Sequence, residues 1–238
     1  MSIRQKYHIR YQARLWAGLF LFVAMVSSAA AHGVHGHDQA FITSADGAHP
    51  FPFIYLGAKH MVTGYDHLAY LAGVIFFLSK VKDVFKFVSL FAIGHSITLL
   101  TGILAGIDVN PYFIDAIIGL SVCYKALENL GLLRQYTGIT LSPKRAVFGF
   151  GLIHGFGLSS KLQDLDLSPD GLIPNMLSFN LGVEIGQVMA LIFLFGIFVW
   201  LRTRNNFDKI SITANMILFG LGLVLFGMQA VGFFVGDI

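Results

Sequence analysis

The residues of this chain best suited to chemistry are His60, Asp66, His67, His95, His154 and Glu184, all set within long apolar stretches. Imidazole nitrogens bind divalent transition metals, and a carboxylate can either ligate the ion or fix the tautomer of a neighbouring imidazole. Ionisable groups at bilayer depth are costly and mark ion pathways or bound metals. In His60-Met-Val-Thr-Gly-Tyr-Asp66-His67 the two histidines are separated by about 340° on a helix, at ~100° per residue. They share a face and can chelate one ion. Asp66, turned about 100° from His67, points to a neighbouring helix or to a partner imidazole.

His95 stands in Gly94-His95-Ser96, and His154 in His154-Gly155-Phe156-Gly157. Asn180, Glu184 and Gln187 follow at i, i+4 and i+7, one polar stripe on an otherwise apolar helix. Hydrogen bonds between membrane helices could use such groups. Histidines and carboxylates on four separate stretches exceed what packing needs, so the set points to metal. His32, His35 and His37 form a short His-containing tract, which fits either metal capture or a solvated polar tail. Lys125 and Glu128, at i and i+3, read as a structural pair or as snorkelling side chains. Tyr70 and Tyr124 read as packing or interface residues. Cys123 is the single cysteine, so any metal site uses nitrogen and oxygen ligands.

The elements that must position these groups are apolar helices. Only 12% of the 238 residues are charged, against about 25% in soluble domains, and 55% are hydrophobic. Arg4 to Ala31 has the basic, apolar and small-residue parts of a secretory signal peptide, whose removal after Ala31 would leave His32 first. The expected organisation is a signal peptide over 1–31, an irregular extracytoplasmic lead-in over 32–52, and a membrane domain over 53–238. Six apolar stretches run near Phe53–Ser79, Phe85–Gly106, Pro111–Leu133, Ala146–Leu162, Pro174–Leu201 and Ile210–Val235. Each approaches the ~20 residues that a span needs. The fold class is therefore all-α, a polytopic transmembrane helical bundle of about six spans. The fourth stretch, rich in glycine, is expected to be broken or tilted where it lines a cavity.

Loop charges set the orientation. Lys80, Lys82 and Lys86, then Arg134, Lys144 and Arg145, then Arg202, Arg204 and Lys209 fall in the first, third and fifth loops. The second loop carries Asp108, and the fourth sets Lys161 against Asp164, Asp166 and Asp170. The positive-inside rule makes the odd loops cytoplasmic and both mature termini extracytoplasmic, in a bacterial inner membrane. The net charge of +3 is thus a topology signal, and nucleic acid is excluded as a partner.

His60, Gly64, Asp66 and His67 together resemble the H-P-x-x-G-x-D-H signature of HupE/UreJ-type nickel and cobalt permeases, with Met61 in place of the proline. Gly94-His95-Ser96, the His154-Gly155-Phe156-Gly157 run and the Asn180 to Glu184 stripe resemble later motifs of that family. The resemblance spans about Leu56 to Arg202 and implies transport of nickel or cobalt as substrate. The ligand types also suit zinc, copper or iron. The rival reading is an intramembrane metalloenzyme that keeps its ion and activates water or oxygen. No G-x-x-x-x-G-K-[ST] run occurs, which argues against ATP hydrolysis by this chain. The expected partners are the lipid bilayer and the metal ion. A homo-oligomer and soluble partners stay open.

Overall fold

The structure is a computed structural model, and it describes residues 37–138, 141–165 and 168–236. All regular secondary structure among them is helical. The helices are α1 His37–Ser44, α2 Pro50–Thr63, α3 Tyr65–Ile75, α4 Val81–Ala105, α5 Pro111–Asn129, α6 Leu132–Thr137, α7 Pro143–Gln163, α8 Leu172–Arg202 and α9 Phe207–Val235. The signal-peptide segment lies outside the described residues.

Helix boundaries follow local chemistry. Pro50, Pro111 and Pro143 stand at the first turns of α2, α5 and α7, where a missing N–H costs nothing. The Asn110 side chain accepts the Phe113 N–H to cap α5. Gly106 ends α4 at φ 61, a left-handed turn that glycine adopts without strain. The last carbonyls of the α3 segment find a partner far along the chain: Arg202, ending α8, donates to the carbonyls of Ile75, Phe76 and Leu78.

Among the described residues three helices, α4, α8 and α9, are long and apolar enough to cross a membrane. Large apolar side chains such as Phe193, Trp200 and Phe234 lie exposed on the outer faces of α8 and α9. In lipid these faces are solvated by acyl chains, and the buried side holds the polar residues.

The first apolar stretch is broken at Gly64 into α2 and α3, while the fourth, expected to be broken or tilted, is the continuous helix α7. The α7 glycines serve packing instead. A Cβ on Gly151 would lie 2.4 Å from the Phe91 carbonyl oxygen, and one on Gly155 would lie 2.2 Å from that of His95. A Cβ on Gly94 would meet the Phe148 oxygen at 2.5 Å. Backbones of α4 and α7 therefore touch, as in small-residue interfaces between membrane helices. The pairs run in step along both helices, so α4 and α7 are parallel.

The same device joins α2 to α8, where a Cβ on Gly57 or Gly182 would stand 2.0 Å from a carbonyl oxygen of the facing helix. Gly119 and Gly222 do so for the antiparallel pair α5 and α9. Polar clips add specificity: the Asn129 amide donates to the Gly73 carbonyl and to Asn215, each at 2.9 Å.

Within the lead-in, expected to be irregular, residues 37–44 form α1 and residues 50–52 open α2. Ile42 is buried, Phe41 lies against Phe53 at 6.1 Å between rings, and Asp38 pairs with Lys59 at 2.6 Å. An apolar Phe-Ile pair within the polar segment drives this docking onto α2. Asn175 at the start of α8 completes it, accepting the His49 N–H at 2.6 Å and donating to the Gly47 carbonyl at 2.9 Å.

Candidate metal centre

The centre begins at the break between α2 and α3. Gly64 adopts φ −76 and ψ 91, and its N–H still bonds to the His60 carbonyl at 2.9 Å. A side chain here would intrude, because a Cβ would lie 2.7 Å from His67 Nδ1. The break makes Asp66 a first-turn residue of α3, where the helix dipole favours a carboxylate. Its Oδ1 accepts two bonds from His67, from the backbone N–H at 2.7 Å and from the ring Nδ1 at 2.6 Å. A proton held on Nδ1 makes Nε2 the basic, metal-binding nitrogen of His67.

His67 is the hub. Its ring centroid is 5.1 Å from that of His60, 4.7 Å from His154 and 6.4 Å from His95. The glycine contacts between α4 and α7 bring the last two together, since the Gly155 Cα faces the carbonyl of His95 itself. His154 donates from Nδ1 to the Phe150 carbonyl at 2.6 Å. Its Nε2 is buried with no hydrogen-bond partner among the described residues, as are both ring nitrogens of His95. Buried polar atoms of this kind are expensive unless something binds them.

Two overlapping groups could hold an ion: His60, His67 and His95, and Asp66, His67 and His154. Within each, one ligand atom per residue lies no more than 4.8 Å from the others. Ligands about 2.1 Å from a tetrahedral metal stand ~3.4 Å apart, so small side-chain rotations would close either group. Asp66, His67, His95 and His154 are buried and His60 is partly so. This dry setting favours coordination over hydration.

Of the residues expected from sequence, Glu184 stands apart from both groups. It is partly buried, and its Oε1 accepts the Ser89 hydroxyl at 3.2 Å. Asn180, one turn before it, lies beside His95. His32 and His35 lie outside the described residues, as does the side chain of His37, whose backbone begins α1.

Three aromatic rings border the histidines: Tyr70, which the sequence already marks as a packing residue, and Phe91 and Phe150, which it does not. Tyr70 lies 6.2 Å and Phe91 5.0 Å from the His154 ring, and Tyr70 packs on Phe150 at 4.9 Å. The i to i+4 spacing of Phe150 and His154, and of Phe91 and His95, was the signal that could have placed these rings beside the histidines.

Fold and site define a helical membrane protein with a buried imidazole–carboxylate cluster that could bind a metal ion. Residues 36–237 match the family model described as HupE / UreJ protein, and the chain belongs to that family. No curated protein and no solved structure matches it. Membership implies a function related to nickel and cobalt transport.

Proposed function

We propose that this protein is an inner-membrane permease for a divalent transition metal, nickel or cobalt, with His60, Asp66, His67, His95 and His154 as its intramembrane binding site. The observation that carries the reading is the convergence of three imidazoles, His60, His95 and His154, on His67, with Asp66 orienting its ring. An ion leaving water for the bilayer interior must exchange its hydration shell for protein ligands, and buried imidazoles supply them. The two overlapping triads share His67. An ion can therefore pass from one triad to the other while keeping one ligand, which lowers the barrier to movement.

The six apolar stretches all cross the membrane, and both termini face away from the cytoplasm. His32, His35 and His37 would then meet the ion first. Glu184, further along α8, would act as a relay beyond the histidines.

The test is uptake of nickel or cobalt into liposomes carrying purified protein, compared with His67→Ala. The wild type should admit metal, and the variant should be no leakier than empty vesicles. Wild-type vesicles as tight as empty ones would sink the permease. A stoichiometric, chelator-resistant ion in that case would turn the assignment towards the metalloenzyme.

A further inference from the structure

Beyond the histidine cluster lies a second chamber. A cavity of about 180 Å³ is lined by Tyr70, Leu78, Phe87, Lys125, Glu128 and Pro143, among others. Leu78 follows α3, Phe87 is in the second turn of α4, and Pro143 begins α7. The chamber thus lies toward the end of the bundle that carries Lys80, Lys82, Lys86, Lys144 and Arg145. At ~30 Å³ per molecule it has room for about six waters, comparable to the inner hydration shell of a divalent ion.

Its polar lining comes from α3 and α5. Lys125 Nζ and Glu128 Oε2 are 2.6 Å apart, both largely shielded. The stem of Lys125 lies along α3 at Gly73, where a Cβ would stand 2.9 Å from Lys125 Cγ. Tyr70 is fully buried, and its hydroxyl has no hydrogen-bond partner among the described residues.

Tyr70 is the wall common to the two sites. It lines the chamber and also lies 6.2 Å from the His154 ring. With Phe91 and Phe150, it closes the histidine cluster on that side.

We propose that Glu128, with the hydroxyl of Tyr70, forms a second, oxygen-lined station for a divalent cation on the basic side of the histidine cluster, held neutral by Lys125 when no cation is there. The inference rests on the permease reading and extends it. Imidazole binds nickel and cobalt tightly, whereas a carboxylate with water and phenol binds them more weakly. Conduction needs a site weak enough to leave, and a weak station after a tight one supplies it. In the resting pair, Lys125 cancels a carboxylate that would otherwise be buried unpaired. An arriving cation competes with the Lys125 ammonium for Glu128, so the chamber never carries an uncompensated negative charge. Tyr70 must shift for the two sites to join, and it is the barrier between them.

The test uses the full chain, in detergent for cobalt binding and in phosphatidylcholine–phosphatidylglycerol vesicles loaded with a cobalt-quenched dye for uptake. Glu128→Gln should bind cobalt at the histidine site as the wild type does, yet take it up at least about tenfold more slowly, a barrier change of ~1.4 kcal/mol. The charge-neutral double variant Lys125→Gln/Glu128→Gln should stay equally slow. Lys125→Gln alone should bind a second, weaker cobalt ion that Glu128→Gln abolishes.

Wild-type uptake by Glu128→Gln would overturn the station. So would recovery in the double variant, which would make the pair structural, or a single bound ion in Lys125→Gln. Failure of the wild type to transport would strike the permease reading instead. The count of ions bound by Lys125→Gln would still decide the second site: two uphold it and one overturns it.

Discussion

Asp66 uses one carboxylate oxygen to hold both the backbone and the ring of the residue that follows it. That arrangement makes it a positioning group for His67 as well as a potential ligand in the triad with His154. Removing its charge while keeping its shape should separate these roles from folding. Asp66→Asn is expected to keep wild-type helix content and to weaken nickel or cobalt binding by about 10- to 100-fold, the usual effect of losing an orienting carboxylate. Titration calorimetry beside circular dichroism measures both. Unchanged affinity would remove Asp66 from the site. The pairing of His60 with His67 was legible from their spacing, but by a geometry that the chain does not use. Helical phase brings the two rings to one face only if residues 60–67 form an unbroken helix. Gly64 interrupts it, and the Asp66–His67 hydrogen bond aims the second ring. Such a bond between adjacent residues has no periodicity, so helical phase alone could not reveal it.

Helix pairing decides whether the histidines meet at all. His95 and His154 lie in different apolar stretches, and no spacing within either could show that they face each other. Their proximity depends on Gly94, Gly151 and Gly155, which let the α4 and α7 backbones touch. Glycine density in the fourth stretch is visible, and by itself it suggests a broken or tilted helix. The same residues instead shorten an interface, and the break falls at a single glycine in the first stretch. Gly155→Ala tests this. Its Cβ would come within 2.1 Å of Thr98 Oγ1 and 2.2 Å of the His95 oxygen, so the helices must part. Overpacking of this kind costs about 1–3 kcal/mol. A lower melting temperature in detergent and weaker metal binding are expected together, because His95 retreats with α4. Gly149→Ala, on the same helix with nothing within 4 Å of its Cβ, should change neither. Equal behaviour of the two variants would show that close approach does not build the site.

Across the whole molecule, the directions of the packed helices follow a regular pattern. Helices from the second and fourth stretches are parallel, as are those from the first and fifth, which alternation requires of stretches separated by an odd number of others. The basic loops also converge: Lys86 and Lys144 are neighbours, and the ammonium of Lys86 draws the pKa of Lys144 below the ordinary lysine value. Two adjacent lysines suit a surface that meets anionic headgroups, which the cytoplasmic leaflet supplies. The proposed orientation can be tested without altering the core. Cys123 is buried, so the native chain should resist a membrane-impermeant maleimide from either side. Lys144 and Asp164 are exposed at the two ends of α7. Lys144→Cys should then label only in inverted vesicles and Asp164→Cys only in intact spheroplasts. The opposite pattern would place Glu128 and its chamber on the outer side of the histidines, where a weak oxygen station would receive the ion rather than release it. Labelling of both positions from one side would deny that α7 crosses the membrane, and with it the alternating bundle.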